Sequence, residues 1–247
     1  MKRIRTAATA LAAALLCLCT AACGSASEVV IETTPPAVIQ PAKTKDSYIT
    51  VGLSETFSYT DKTGNVYNAV YKIPKIDIDS EDAEAANEEI NEKYLNDFAS
   101  ANNEVAAHNS LTCDSLDYDS YQDETILSVL IRRVYFSHTV DYSVYNFNVK
   151  TGKRLSNEEL CEELCEAIGT SYEKTMAMLQ SKLKYDYAGK YATASRPKNY
   201  EEDLEKTMSE ENLKASQFFL DSKGKLNAVC KEYTSVGTGE FSVVLSL

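Results

Sequence analysis

The sequence predicts an α+β fold in which helices pack on a largely antiparallel sheet. Hydrophobic residues make up 44% of the 247-residue chain, enough for one substantial core. Segments that alternate between apolar and polar residues, typical of strands, are interspersed with segments of helical periodicity. We therefore expect a signal peptide at residues 1–23, a flexible linker at 24–47 and a single α+β domain at 48–247.

The predicted domain begins with a β-hairpin. Ser47–Tyr59 and Val66–Ile73 alternate on either side of turn-forming residues, and Pro74 is expected to end the second strand. Asp79-Ser80 can cap the helix that follows, which is predicted to run to about Ala101. The buried stripe of this helix is predicted at Ala83, Ala86, Ile90, Tyr94 and Phe98.

The centre of the domain is predicted to contain three strands. A strand near Ser110–Asp117 leads into an acidic loop, Asp117–Glu124. Thr125–Phe136 is apolar on both faces over most of its length, as expected in the middle of a sheet. Tyr142–Val149 is its expected hairpin partner and ends at a turn over residues 150–153.

The last part of the chain is predicted to place helices before the closing strands. Ser156 and Glu159 form a capping box for one helix, which Gly169 interrupts, and a longer helix runs toward Tyr187. A short acidic helix is expected at Tyr200–Met208. The closing strands are predicted at Gln217–Asp221, Lys225–Tyr233 and Phe241–Leu247.

The first residues read as an export signal. Lys2, Arg3 and Arg5 precede an apolar stretch too short to span a bilayer, and small residues lead to Cys23. This arrangement resembles a bacterial lipobox, which implies that Cys23 is diacylated and becomes the mature N-terminus. The protein would then be anchored on the extracellular face of the cytoplasmic membrane. An ordinary secretory signal with Cys23 unmodified is the alternative.

The charge of the chain is strongly acidic. The formal net charge is −12, and it becomes −15 without residues 1–23, which carry three positive charges and no negative ones. Such a balance argues against nucleic acid as a partner, because phosphate binding needs a basic surface. A cationic protein or a divalent metal would instead be attracted. The alternative is that the charge serves solubility alone.

The cysteines give little support to disulfides or zinc. Cys17 and Cys19 belong to the signal, so four cysteines remain in the domain: Cys113, Cys161, Cys165 and Cys230. Cys161 and Cys165 lie four residues apart at apolar positions of a predicted helix, where they are expected to pack as small hydrophobes. We expect neither a metal site nor a cofactor, since there are two histidines and no CxxC motif.

Candidate binding residues cluster around the central strands. Three are His138, Tyr135 and Tyr142, of which the tyrosines could anchor a protein or glycan partner. Three more are the alternating acids Asp117, Asp119 and Asp123, whose oxygens would suit calcium, although a solvated loop is the simpler interpretation. No motif of a hydrolase nucleophile or zinc protease occurs, so no catalytic residue is assigned.

Three stretches resemble one known family. They are Tyr145–Ser156, the segment from Pro74 to Ile90, and Phe218–Leu226. The resemblance is to the extracellular domain of RsiV-type anti-sigma factors and the non-catalytic region of PdaC-type peptidoglycan deacetylases. It covers nearly all of residues 48–247 and implies a domain that binds a partner outside the cell, which in the anti-sigma factors is the cationic enzyme lysozyme. His138 is the residue kept from the family's Gly-Gly-Ala-His-Gly segment.

These observations together predict a lipid-anchored, extracytoplasmic binding or sensing module without catalysis. Its expected partner is a cationic envelope protein or a peptidoglycan-related component, with the membrane reached through the lipid alone. A cell-wall hydrolase or esterase with an unrecognised active site is the alternative.

Overall fold

The computed structural model confirms the α+β class. It describes residues 47–60, 63–106, 113–192, 196, 198–235, 237 and 239–247. In chain order the elements of this part are β1 (Ile49–Thr60), β2 (Val66–Ile76), α1 (Glu81–Ala106), β3 (Cys113–Gln122), β4 (Ile126–Tyr135), β5 (Val140–Asn148), α2 (Asn157–Ile168), α3 (Tyr172–Tyr191), α4 (Tyr200–Thr207), α5 (Glu210–Lys214), β6 (Gln217–Leu220), β7 (Leu226–Tyr233) and β8 (Glu240–Ser246). The predicted signal peptide, its Cys23 and the linker up to residue 46 lie outside the described residues.

The strands divide between two sheets. One has the order β1-β2-β3-β4-β5 and the other the order β6-β7-β8. All pairs are antiparallel except β2 with β3, which are parallel and are connected through α1. A parallel pair needs such a long crossover connection, whereas antiparallel neighbours can be joined by a tight turn. The sheet expected from the sequence is therefore largely antiparallel, but it is two sheets.

Helix α1 covers one face of the five-stranded sheet. Ser80 begins it by accepting a hydrogen bond at Oγ from the Ala83 backbone N–H, at 3.2 Å. Ile90 and Tyr94 are fully buried against the sheet, as the predicted stripe requires, whereas Phe98 is partly buried. The apolar periodicity of this helix therefore predicted its packing face, although the helix continues beyond Ala101.

The three-stranded sheet lies between the other helices and the five-stranded sheet. Phe218 and Ala228 face α2 and α3, where they pack with Leu160 and Leu179. The opposite face meets the five-stranded sheet through a smaller cluster: Phe219, Val229, Val144, Leu130 and Tyr142. The order of layers is thus α1, five-stranded sheet, three-stranded sheet, and the helices α2 to α5.

Buried polar side chains join the two sheets. Ser128 on β4 donates from Oγ to Asn146 Oδ1 on β5, at 2.7 Å, and accepts the Leu220 backbone N–H at 2.9 Å. Asn146 donates from Nδ2 to the Phe218 carbonyl at 2.8 Å. Asn157, at the start of α2, accepts the Phe218 N–H at 2.9 Å. The β6 edge that faces away from β7 is therefore paired by side chains instead of by another strand.

Three local expectations differ from the structure. Pro74 does not end β2, because it lies opposite Val51 beside a bulge, where its missing N–H is tolerated. The acidic residues from Asp117 to Gln122 are strand rather than loop, since they pair with β4. Residues 210–214 form the short helix α5, which was not predicted.

The α2 capping box is confirmed, but one cysteine is placed differently. Ser156 Oγ accepts the Glu159 N–H at 3.3 Å and Glu159 Oε2 accepts the Ser156 N–H at 2.9 Å. Gly169 ends this helix with φ 65°, a conformation that favours glycine. Cys161 is buried as expected, whereas Cys165 is exposed because it lies beyond the edge of the apolar stripe.

Two further findings concern the described residues. Cys113, Cys161, Cys165 and Cys230 are all unpaired. None of the described helices combines the length and the apolar composition that a membrane crossing requires.

The buried hydrogen bonds that Ser128, Asn146 and Asn157 make to β6, here called the polar seam, give a first prediction. Ser128→Ala leaves the Leu220 N–H and Asn146 Oδ1 without their buried partner, so the free energy of unfolding should fall by about 1–3 kcal/mol. Ser137→Ala, at the exposed β4–β5 turn, is the matched control and should change it by less than about 0.5 kcal/mol. Urea unfolding measures both. Equal effects of the two substitutions would show that the seam is not a stabilising feature.

Candidate functional site: a cleft between the two sheets

An open cleft of about 500 Å³ lies between the two sheets. It is lined by residues of β3, β4, β5, the three-stranded sheet and the turn between β6 and β7: Asp117, Tyr118, Asp119, Leu130, Arg132, Tyr142, Phe219, Asp221, Asn227 and Val244. A concave surface that combines apolar side chains with a few polar groups is typical of a binding site.

One wall is a cross-strand row on the five-stranded sheet. Asp117 pairs with Arg132, and Arg132 pairs with Tyr142, so the three side chains share one face of β3, β4 and β5. Arg132 binds Asp117 with both arms, Nε to Oδ1 at 3.0 Å and Nη2 to Oδ2 at 2.7 Å. These hydrogen bonds raise the pKa of Arg132. The two side chains are 50% and 34% exposed, so the pair stabilises the fold by only about 0–1 kcal/mol.

A second row brings another carboxylate to the same wall. Asp119 lies two residues after Asp117 on β3 and therefore projects from the same face of the strand. It is opposite Leu130 on β4, which in turn pairs with Val144 on β5. Asp119 is exposed, and its Oδ1 accepts the Ser120 backbone N–H at 2.9 Å.

The turn between β6 and β7 supplies the third carboxylate. Asp221 Oδ1 accepts the backbone N–H groups of Lys223 and Lys225, at 2.9 and 3.0 Å. Burial would raise the pKa of Asp221, but these hydrogen bonds outweigh it and lower the pKa. Gly224 has φ +73°, and a Cβ there would lie 2.9 Å from the ring of Tyr121, so the turn packs closely on that tyrosine. The position of Asp221 is therefore set by the turn.

The floor of the cleft is apolar. Phe219 is 3% exposed, and it packs with Leu130 and Tyr142 in the cluster that joins the sheets. Val244 on β8 is 38% exposed at the other side. With three carboxylates and one guanidinium, the rim carries a net negative charge. This combination suits a cation with an apolar stem, such as a lysine or arginine side chain.

Three of the six residues predicted for binding meet in this cleft: Asp117, Asp119 and Tyr142. The other three lie elsewhere. Arg132, Phe219 and Asp221 also line the cleft, but the sequence analysis did not predict them as binding residues.

Asp123 stabilises the turn between β3 and β4. Its Oδ1 accepts the backbone N–H groups of Thr125 and Ile126, both at 2.7 Å, and its Oδ2 accepts the Tyr121 hydroxyl at 2.9 Å. Partial burial would raise the pKa of Asp123, but these hydrogen bonds lower it. The three acids considered for calcium are therefore not one ligand set, and among the described residues no group of three or more His, Cys, Asp or Glu side chains could hold a metal ion.

Tyr135 belongs to a polar network on the α1 side of the sheet. Arg133 binds Asp97 of α1 at 2.7 Å and Asp141 of β5 at 2.8 Å, and the Tyr135 hydroxyl donates to Asp141 at 3.2 Å. The Arg133 guanidinium also lies 5.0 Å from the centre of the Tyr135 ring. Burial, reinforced by Asp141, raises the pKa of Tyr135 to about 12. This network holds α1 on the sheet and does not open into the cleft.

His138 lies at the tip of the β4–β5 hairpin. It is exposed and has φ 64°, a left-handed conformation that histidine adopts more readily than most residues. Its backbone N–H donates to the Tyr135 carbonyl at 2.8 Å and so closes the turn.

The different roles of Asp119, in the cleft, and Asp123, in the turn between β3 and β4, give a second prediction. Asp123→Ala removes the acceptor of two backbone N–H groups and should lower the free energy of unfolding by about 1–2 kcal/mol. Asp119→Ala should change it by less than about 0.5 kcal/mol. The pKa of Asp123 is lowered in the fold, so its ionised carboxylate stabilises the folded state and its protonated form does not. The loss of unfolding free energy in Asp123→Ala should therefore vanish as the pH falls through the folded pKa. Urea titrations at several pH values test this, and an equal loss at Asp119 would contradict it.

Comparisons with known proteins leave the family open. No family model matches the chain, and no curated protein matches it. A solved structure of a DUF3298 family member from Bacteroides fragilis is similar, with 11% sequence identity and a TM-score of 0.33. The alignment covers 81% of this chain and 89% of that one. So distant a likeness does not establish a family, and the resemblance to RsiV-type and PdaC-type domains stays a prediction.

Proposed function

We propose that the folded region is a non-catalytic binding module which holds a cationic envelope protein or cell-wall component in the cleft between its sheets. The observation that carries the proposal is the arrangement of Asp117, Asp119 and Asp221 around an apolar floor. The net negative charge of the chain would speed the approach of such a partner.

The cleft differs from another acidic surface of the protein in having apolar side chains beside its carboxylates. Glu159, Glu162, Glu163 and Glu166 form a second acidic surface along α2, but it is predominantly polar. The cleft offers Phe219, Tyr142 and Leu130 to the methylene stem of a basic side chain, as well as carboxylates to its charged end. Of these two acidic surfaces, the cleft is therefore the one in which apolar burial and charge complementarity act together.

Arg132 occupies the position that a ligand cation would take. Its guanidinium is already bound to Asp117, in the geometry expected for an incoming arginine. Because the pair is half exposed, it is weak enough to be displaced. A cationic ligand would then compete with Arg132 for Asp117.

The lining of the cleft supports a role without catalysis. Among its described residues there is no serine, cysteine, histidine or lysine to act as a nucleophile or as the base of one. Two of its carboxylates, Asp117 and Asp221, are engaged by Arg132 and by backbone N–H groups. The resemblance to domains that bind a cationic enzyme agrees with the same partner class.

The third prediction tests the cleft with cationic probes. Lysozyme and tetralysine should bind the wild type at an ionic strength of about 0.02 M and lose most of their affinity at about 0.5 M. Asp119→Asn should weaken binding roughly 3–10-fold, as expected for one partly exposed charge contact. Arg132→Gln should strengthen it, because an internal competitor and a like charge are removed. Calorimetry measures the dissociation constant of each probe for the wild type and for both variants.

Asp79→Asn is the matched control for this experiment. It makes the same charge change at an exposed position before α1, outside the cleft, and should leave the affinity within about 2-fold. Equal losses for Asp119→Asn and Asp79→Asn would show that net charge, and not the cleft, attracts the probes. Turnover of a wall fragment by the purified protein would instead favour the hydrolase alternative.

We further propose that Cys23 anchors the module to the outer face of a bacterial cytoplasmic membrane. The support is the pattern of positive, apolar and small residues before Cys23.

The fourth prediction tests this anchor. Expressed in a bacterial host, the protein should fractionate with membranes and carry a diacylglyceryl group on Cys23, whereas Cys23→Ser should not be lipidated at this position. Cys165→Ser, an exposed cysteine in the domain, is the control and should stay with the membranes. Mass spectrometry of the mature N-terminus reads the outcome directly. An unmodified N-terminus elsewhere would overturn the anchor.

A further inference from the structure

A buried carboxylic acid lies on the face of the three-stranded sheet that the helices cover, outside the cleft between the sheets. Glu232 projects from β7 on the same face as Ala228 and Cys230, two residues of the core beneath the helices. Its side chain is 1% exposed. An ionised carboxylate is rarely buried to this degree unless it is fully paired.

The pairing around Glu232 is incomplete. Lys190 of α3 donates to Glu232 Oε2 at 3.0 Å, and the same ammonium lies 2.5 Å from Asp186 Oδ2, one helical turn earlier. Glu232 Oε1 has no hydrogen-bond partner among the described residues. Two carboxylates therefore share one ammonium, and one negative charge is left without compensation.

A proton is the simplest way to neutralise that charge. The Asp186 side chain is 34% exposed and that of Glu232 is 1% exposed, so burial disfavours the charged form far more strongly at Glu232. Burial raises the pKa of Glu232 to about 7; Lys190 opposes this shift and the neighbouring Asp186 adds to it. A protonated Glu232 can donate a hydrogen bond to the Asp186 carboxylate.

The tyrosines and the thiol near this acid do not titrate in the same range. Tyr187 and Tyr191 face it from α3, and burial raises the pKa of both above the usual value of tyrosine. Cys230 precedes it on the same face of β7, and burial raises the pKa of that thiol to about 12. From α4, Asp203 acts on Tyr187 and binds the Ser235 N–H at 2.7 Å.

The position of Glu232 gives this titration a mechanical consequence. The carbonyl of Tyr233, the next residue, accepts the Tyr187 hydroxyl at 2.9 Å, which ties β7 to α3. The carbonyl of Lys231, the preceding residue, accepts Asn212 Nδ2 of α5 at 2.9 Å. A charge that appears on Glu232 is thus created at the point where the helices attach to the sheet.

We propose that a proton on Glu232, donated in a hydrogen bond to Asp186, forms a pH-sensitive latch between β7 and α3. In the closed state Glu232 is neutral, donates to Asp186 and accepts from Lys190. When the proton leaves to solvent, two carboxylates repel each other beside one ammonium and the latch loosens.

The sign of the effect follows from linkage. The pKa of Glu232 is ordinary in the unfolded chain and raised in the fold. At a pH between these two pKa values the folded state therefore binds more protons than the unfolded state. The stabilisation is complete below the unfolded pKa and is lost as the pH rises through the folded pKa. The equilibrium constant for unfolding should therefore grow on the order of 10²-fold between about pH 5 and about pH 8.

The fifth prediction concerns Glu232→Gln. Glutamine keeps the shape and both hydrogen bonds of the protonated acid, so the variant should lack this rise and exceed the wild type in stability at about pH 8. Glu205→Gln, exposed on α4, is the matched control and should keep the wild-type pH dependence. Urea unfolding across the pH range measures all three proteins. A Glu232→Gln variant with the wild-type slope would overturn the latch.

A second measurement keeps the proposal testable if Glu232→Gln fails to fold. Carbon-detected NMR of the wild type follows the Glu232 carboxyl directly, and Asp186→Asn should move its titration to lower pH because the like charge is gone. Hydrogen exchange of α3 and β7 amides should quicken above the titration midpoint, while β1 and β2 stay unchanged. A Glu232 pKa below about 5.5 would overturn the proposal.

Discussion

The hydrogen bonds among Ser128, Asn146 and the β6 backbone are the constraint on which the arrangement of the two sheets depends. Strand β6 has four residues and one strand neighbour, so its other edge would be left with unpaired backbone groups in the interior. Side chains from β4 and β5 satisfy these groups directly. The three-stranded sheet is thereby fixed against the five-stranded sheet, and the cleft is the space left between them.

Two ion pairs show how depth decides the role of the same chemical groups. Asp117 and Arg132 meet near the surface, where water screens them and a ligand can replace either one. The Glu232 carboxyl that Lys190 binds is 1% exposed, so water cannot replace a missing partner of this carboxyl and protonation supplies the balance. The shallow pair is therefore suited to recognition and the deep pair to pH-dependent stability.

Local patterns predicted most elements but not their assembly. The alternation of β1 and β2, the stripe of α1 and the capping box at Ser156 each depend on neighbouring residues, so they can be read from the chain. The division into two sheets depends on which residues line the seam, and Ser128 within the apolar strand β4 gave no sign of its partners in β6. Pro74 misled for a similar reason, because the bulge that accommodates it lies on the opposite strand.

The candidate site was predicted in part for the same reason. Asp117, Asp119 and Tyr142 were singled out by type and spacing, whereas Asp221 reaches the cleft from a turn about a hundred residues later in the chain. Arg132 lies in the strand expected to be central, just beyond the run that is apolar on both faces, and no binding role was predicted for it. Alternation along β4 places it on the face of Leu130 rather than on that of Ile131, and this was the signal that could have found it.

The most direct test of the account is a nitrogen-15 NMR titration of the folded region with tetralysine. If the cleft binds cations, amide shifts should change at Asp119, Leu130, Asn227 and Val244, which line the cleft from both sheets. Changes confined to Glu162, Glu163 and Glu166 on α2, with the cleft resonances unmoved, would contradict it.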